Sequence, residues 1–254
     1  DAARGELGII LGTDPAHLEA VQSMVLLDLE EGKEAEAQAT LARALTLAKD
    51  ASIRAELQML MAHLATRRGR PKDAIEAYEA AIEADPTQAQ AWYNLALLQA
   101  TNGEASRALA SFTEAARLQP ADVRFQLALA HALRGAGEWA AARQTLELAL
   151  RQQQSEPALS AALIELLAGS PDAQARDGER ALALAQQLAR AQRDPRFVEL
   201  TAMALAEQGH FEQAADLILR MLDAPQTRAA PVEVRKRLEA ALARYQAGQP
   251  LRLE

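Results

Sequence analysis

Apolar residues recur three and four positions apart along nearly the whole chain, in paired runs separated by short polar breaks. That spacing predicts amphipathic helices, not strands. In 89–122, AQAWYNLALLQATNGEASRALASFTEAARLQPAD, one apolar run ends before Asn102-Gly103 and a second begins after it. Glycine there tolerates the left-handed backbone that a tight turn between helices requires. The small residues Ala96, Ala108 and Ala115 allow close helix approach, and Trp92, Leu95 and Phe112 are expected to fill the space between.

The pattern repeats. A shift of 34 residues towards the start carries Gly103 onto Gly69, Ala108 onto Ala74, Phe112 onto Tyr78, Ala115 onto Ala81 and Pro120 onto Pro86. The same shift forward gives Gly137, Ala142, Leu146, Ala149 and Gln154. Leu95-Ala96 map onto Met61-Ala62 and Leu129-Ala130. Another copy fits after a small insertion, at Gly32, Ala37, Leu41 and Ala44. A fixed period of this length is the mark of a repeat array.

Trp92, Leu95, Ala96, Gly103, Ala108, Phe112, Ala115 and Pro120 resemble the tetratricopeptide repeat at each of its marked places. The resemblance implies an all-α fold, a right-handed α-solenoid of helix-turn-helix repeats with a C-terminal capping helix. It divides a single solenoid over 1–254 into a half repeat (1–15), regular repeats (18–51, 55–88, 89–122, 123–156), a degenerate repeat (157–194) and a further repeat (195–228). The capping helix is placed at 231–247, with Arg235, Lys236, Arg237 and Arg244 on its polar side. Asp85-Pro86, Asp194-Pro195 and Ser155-Glu156-Pro157 are expected to start helices, proline in the first turn and a polar cap before it. Residues 1–15 read as the second helix of a repeat that continues upstream, and QPLRLE as a segment at or near the natural C-terminus. From Asp177 onward the chain is similar to modules that end large multidomain bacterial proteins.

Composition narrows the chemistry. Hydrophobic residues make up 50% of the chain, which supports a sizeable core, and aromatics only 4%, so that core rests on Ala and Leu. With no cysteine, thiol nucleophiles, disulfides and Cys-ligated metals are excluded within these residues. A net charge of −8 argues against a nucleic-acid partner. No apolar run approaches the ~20 residues of a membrane span. Four Lys against 23 Arg, with heavy use of Ala, points to a GC-rich bacterial source and leaves periplasm or cytoplasm open.

No catalytic motif, cofactor or metal is read from the sequence. Gly135-Ala136-Gly137 falls at an inter-helix turn, not in a phosphate loop. The histidines His17, His63, His131 and His210 do not converge with acidic residues. The carboxylates Glu30-Glu31 read as a solvated helix end. The basic run Arg67, Arg68, Arg70, Lys72 brackets a turn.

The resemblance carries one functional expectation. In such arrays the first helix of each repeat lines a concave groove. The inward places fall on Leu26, Leu29, Met59, Leu60, His63, Tyr93, Asn94, Leu97, Arg124, Leu127 and His131, with Gln22 and Ser23 beside them. Further along they fall on Ala161, Ala162, Glu165, Glu199, Leu200 and Met203. The apolar members among 26–127 have no evident use inside the fold, so the groove is expected to hold a partner protein, as an amphipathic helix or an extended peptide. Tyr93 is the expected anchor. The alternative is that a neighbouring segment of the chain, or the first helix expected upstream of the N-terminal half repeat, fills the groove.

Two sub-types of the family are disfavoured. Met59 and His63 stand where chaperone-tail clamps carry Lys and Asn. Only Asn94 occupies the place of the Asn ladder in sugar-nucleotide transferases, with Ser23, Leu60 and Ala128 elsewhere. The reading is a non-catalytic scaffold. Alternatives are an accessory module of a larger bacterial enzyme or multihaem cytochrome, or a structural subunit that self-associates through the N-terminal half repeat.

Overall fold

The computed structural model describes residues 2–154, 156–192 and 194–253, and among these there is no strand. The chain divides into two compact units, one up to Gln119 and one from Pro120 on. Both are built of antiparallel helix pairs, the architecture of a helical-repeat solenoid.

The first unit holds α1 (Ala2–Thr13), α2 (Leu18–Glu30), α3 (Glu34–Leu47), α4 (Ala51–Arg67), α5 (Pro71–Ala84), α6 (Ala89–Thr101) and α7 (Ala105–Leu118). The pairs α2–α3, α4–α5 and α6–α7 turn at Gly32, Gly69 and Gly103, whose φ angles are 74°, 66° and 80°. At the second of these, Arg70 N–H reaches back to Ala65 O at 3.0 Å. This is the Schellman closure, which only a residue at ease with positive φ completes without strain. The core is small-residue packing around a few large side chains. Val21, Leu41, Ala44, Leu57 and Leu64 form one cluster, and Ala62, Tyr78, Ala81, Ala91 and Leu95 belong to another. Ala74, Ala81, Ala108 and Ala115 are all buried, as the period requires.

The second unit holds α8 (Val123–Gly135), α9 (Trp139–Gln152), α10 (Pro157–Gly169), α11 (Gly178–Ala191), α12 (Pro195–Glu207), α13 (Phe211–Asp223), the short α14 (Pro225–Arg228) and α15 (Val232–Gln246). Helix α10 is apolar almost all round and buries Leu159, Leu163, Ile164, Leu166 and Leu167 completely. Such a helix must be covered on several sides, and α9, α11 and α12 all pack on it. Helix α15 covers α13 through Leu238, Ala241 and Tyr245, the part of a cap. Of its basic residues, Arg235 pairs with Glu239, Lys236 with Glu233 and Arg237 with Glu199.

The helix starts divide. Asp194 caps α12, its side chain accepting from Arg196 N–H, with Pro195 in the first turn. Asp85-Pro86 does not start a helix. Asp85 ends α5 and its carboxylate accepts from Thr87 N–H at 3.0 Å, while α6 begins at Ala89. Side chain and backbone of Thr87 hold that carboxyl below the usual range. At the third site Glu156 is the cap and Pro157 opens α10, while Ser155 lies outside the described residues.

Candidate functional site

In the first unit the expected groove residues lie on α2, α4 and α6, and burial separates them into two classes. Met59 is corrected: it is only 7% exposed and packs with Ala62, Ile75 and Tyr78, so it is core and not lining. Leu29 and Leu60 are half-buried against the first core cluster and also serve the fold. Leu26 and Leu97 remain, 55% and 42% exposed. Tyr93 is half-buried, its ring edge-on to Phe112 at 5.8 Å. Trp92, expected in the core, is only partly buried and donates from Nε1 to Pro86 O at 3.0 Å.

A polar network sits on α6 about one turn before Leu97. Gln90 Nε2 donates to Asn94 Oδ1 at 2.9 Å, and Asn94 Nδ2 lies 3.2 Å from His63 Nε2. With the Asn94 oxygen occupied, its amide nitrogen must donate, so Nε2 of His63 must accept. That requires a neutral imidazole. His63 is an exposed residue, yet its ring stands against Tyr78 at 5.8 Å. The resulting desolvation holds the imidazole pKa below its ordinary value. Burial likewise pushes the Tyr78 hydroxyl up to about 12, against an opposing hydrogen bond with Asn94. His63 and Asn94 therefore form a fixed donor–acceptor array beside exposed Leu97.

Arg124, Leu127 and His131 lie on α8 of the second unit. Arg124 is engaged locally: its Nη2 is 2.6 Å from Asp122 Oδ2 and its guanidinium stands over the Phe125 ring at 5.2 Å. Leu127 is half-buried and His131 is exposed. His17 caps α2, its Nδ1 accepting from Ala20 N–H, and His210 precedes α13 at a turn.

A concavity also lies in the second unit. A cleft of about 630 Å³ opens between α10, α12, α15 and the extended residues that follow α15. The inward places Ala161, Glu165, Glu199, Leu200 and Met203 all line it. Leu251, Arg252 and Leu253 form a wall that the repeat pattern did not reveal. Arg252 Nη1 is 2.6 Å from Glu207 Oε2 and 3.3 Å from Ala168 O, and Leu253 N–H donates to Gly169 O at 2.7 Å. Gly169 makes the room: a Cβ there would collide with the Met203 methyl and crowd Leu253. The repeat pattern carries no period through 249–253 and so gave no sign of this wall.

Among the described residues no group of three or more His, Asp or Glu side chains could hold a metal ion. No helix among them is long and apolar enough to cross a membrane.

Comparison with known proteins agrees with this architecture. Two tetratricopeptide repeat family models match, at residues 59–123 and 99–166. No curated protein sequence matches. Pseudomonas aeruginosa pilF is a structural neighbour with a TM-score of 0.62 at 21% identity, covering 90% of this chain and 99% of that one. MamA from Desulfovibrio magneticus RS-1 gives 0.57 at 15% identity, over 69% and 97% of the two chains. A tetratricopeptide repeat protein from Parabacteroides merdae gives 0.50 at 17% identity, over 94% and 91%. At these identities the likeness is one of fold.

Proposed function

We propose that this chain, which belongs to the tetratricopeptide-repeat proteins, is a non-catalytic scaffold that holds a segment of a partner protein against the first-helix faces of its first unit. The observation that carries the reading is Leu97, a large apolar side chain left 42% exposed on α6 one turn from half-buried Tyr93, with Leu26 likewise exposed on α2. Exposed apolar surface of this kind, rimmed by fixed polar groups, is what partner interfaces use. Here the rim is His63 and Asn94, held by Tyr78 and Gln90. A helix or extended peptide would bury its apolar side chains on Leu97 and Tyr93 and hydrogen-bond at the rim.

The test is an affinity capture from lysate of the source organism, comparing the wild type with Leu97→Glu and with Tyr93→Ala. Leu97→Glu is the cleaner probe, because Tyr93 also packs on Phe112 and its removal weakens the fold. A partner retained by the wild type and lost from Leu97→Glu supports the reading. Identical catches from the wild type and both variants overturn it.

A second reading rests on a different observation. On α1, Ile9 and Ile10 are exposed, and the helix has no buried residue. Self-association through this helix would cover them. Sedimentation of the wild type and of an Ile9→Lys, Ile10→Lys variant decides it: mass that grows with concentration only in the wild type favours assembly, and a monomer throughout removes it.

A further inference from the structure

We propose that the segment after α15 is a latch: residues 251–253 close one side of the cleft in the second unit, and their release, with every helix intact, opens it. The latch does not rest on the face proposed for the first unit.

A helix leaves its last four carbonyls without partners of its own. Most first helices here settle theirs locally. After α2, α4, α6, α8 and α12 a glycine takes positive φ, and the N–H of the next residue returns to the helix. Glu104 N–H reaches Gln99 O at 2.8 Å in this way, and His210 N–H reaches Leu205 O at 2.9 Å. Helix α10 ends differently. Its last residue, Gly169, is followed by Ser170 with φ −55° and ψ 134°, so the chain leaves without that turn. Leu166 O accepts from Ser170 N–H at 3.0 Å and Leu167 O from Asp177 N–H at 2.9 Å. The next two carbonyls belong to buried residues and are met by the tail. Arg252 Nη1 reaches Ala168 O at 3.3 Å, from 84 residues further on, and Leu253 N–H reaches Gly169 O at 2.7 Å.

A closure supplied by a separate segment can be withdrawn without unwinding the helix. The hold of the tail is light. Leu251, Arg252 and Leu253 are each only half-buried, so hydrogen bonds and one ion pair fix them more than enclosure does. That ion pair opens without stranding a charge, because Glu207 keeps Arg176 at 2.8 Å when Arg252 leaves. The freed carbonyls of Ala168 and Gly169 would then face the widened cleft and take water in place of the tail. Met203 lies at this point. It is only 7% exposed, lines the cleft and, with Leu253, crowds the space that a Cβ on Gly169 would need. Release of the tail uncovers it.

The chain has no cysteine, so one introduced thiol gives a clean readout. Met203→Cys in the full chain is treated with a maleimide, first with the natural tail and then with Arg252→Ala and Leu253→Ala together. Labelling should be about tenfold faster or more with the weakened tail, at unchanged circular dichroism. Ala185→Cys, buried on α11 and off the cleft wall, should label slowly with either tail. Equal rates for Met203→Cys with both tails overturn the proposal. Equal acceleration at Ala185→Cys does so too, since the whole unit would then have loosened. Loss of the helical signal would make the tail part of the fold, and overturns it as well. Leu97→Glu should leave every rate unchanged, so failure here and failure of the first-unit reading remain distinct.

Discussion

The two units put the same kind of helix to different uses. Helix α6 in the first unit and α10 in the second each open a repeat. Helix α6 leaves Leu97 42% exposed and builds a polar rim from Asn94. Helix α10 buries five Leu and Ile side chains completely. What differs is the cover. Helix α10 lies under α9, α11, α12 and the segment after α15, whereas α6 packs chiefly on α5 and α7 and meets α4 through Asn94 and His63. A repeat period fixes which residues face inward along a helix. The number of neighbours decides whether that inward face becomes core, cleft wall or open surface.

The sharpest way to break this comparison is Leu163→Ala. Leu163 is fully enclosed in α10, and its truncation should cost ~2–5 kcal/mol in denaturant unfolding, in the range of transfer plus cavity terms. A loss close to that of trimming exposed Leu97 would show that α10 is not enclosed.

Next is Ala108→Leu, at a helix crossing in the first unit where Ala108 is buried. Overpacking should cost ~1–3 kcal/mol, read as a lowered melting temperature. An unmoved melting temperature would contradict the repeat register.

The smallest effect is in pH dependence. His63 has a folded pKa below the free value of 6.5, so above that value its contribution is complete. As pH falls through 6.5 the unfolded chain takes up the proton before the folded chain does, and stability declines until the folded pKa is passed. His63→Gln should flatten melting temperature over that window. An unchanged slope would place the histidine outside the network with Asn94.

Much of this was legible in the sequence. The glycines at 32, 69, 103, 137 and 209 all have positive φ, as turns between paired helices need. The alanines at matched places are buried because the period puts them at crossings. The candidate site was less legible, for a physical reason. Periodicity distinguishes inward from outward but does not see a second layer, so Met59, Leu29 and Leu60 read as spare when they pack against neighbouring helices. Asp85-Pro86 misled because an aspartate that ends a turn and one that starts a helix use the same side-chain hydrogen bond. The closing wall at 251–253 has no period at all. Its partners Gly169 and Glu207 lie far away in sequence, and only the folded chain brings them together.

That wall also changes how the second unit should open. Repeat arrays commonly lose their outermost helix first, because each repeat leans only on the next. Here the residues beyond α15 are tied back to Gly169 at the end of α10 and to Glu207 at the end of α12. Peeling α15 away pulls on that strap, so the cap cannot fray by itself while the strap holds. Backbone amides of α15 should therefore exchange with deuterium in step with those of α12, and cutting the Arg252–Glu207 tie should release the cap to exchange ahead of it.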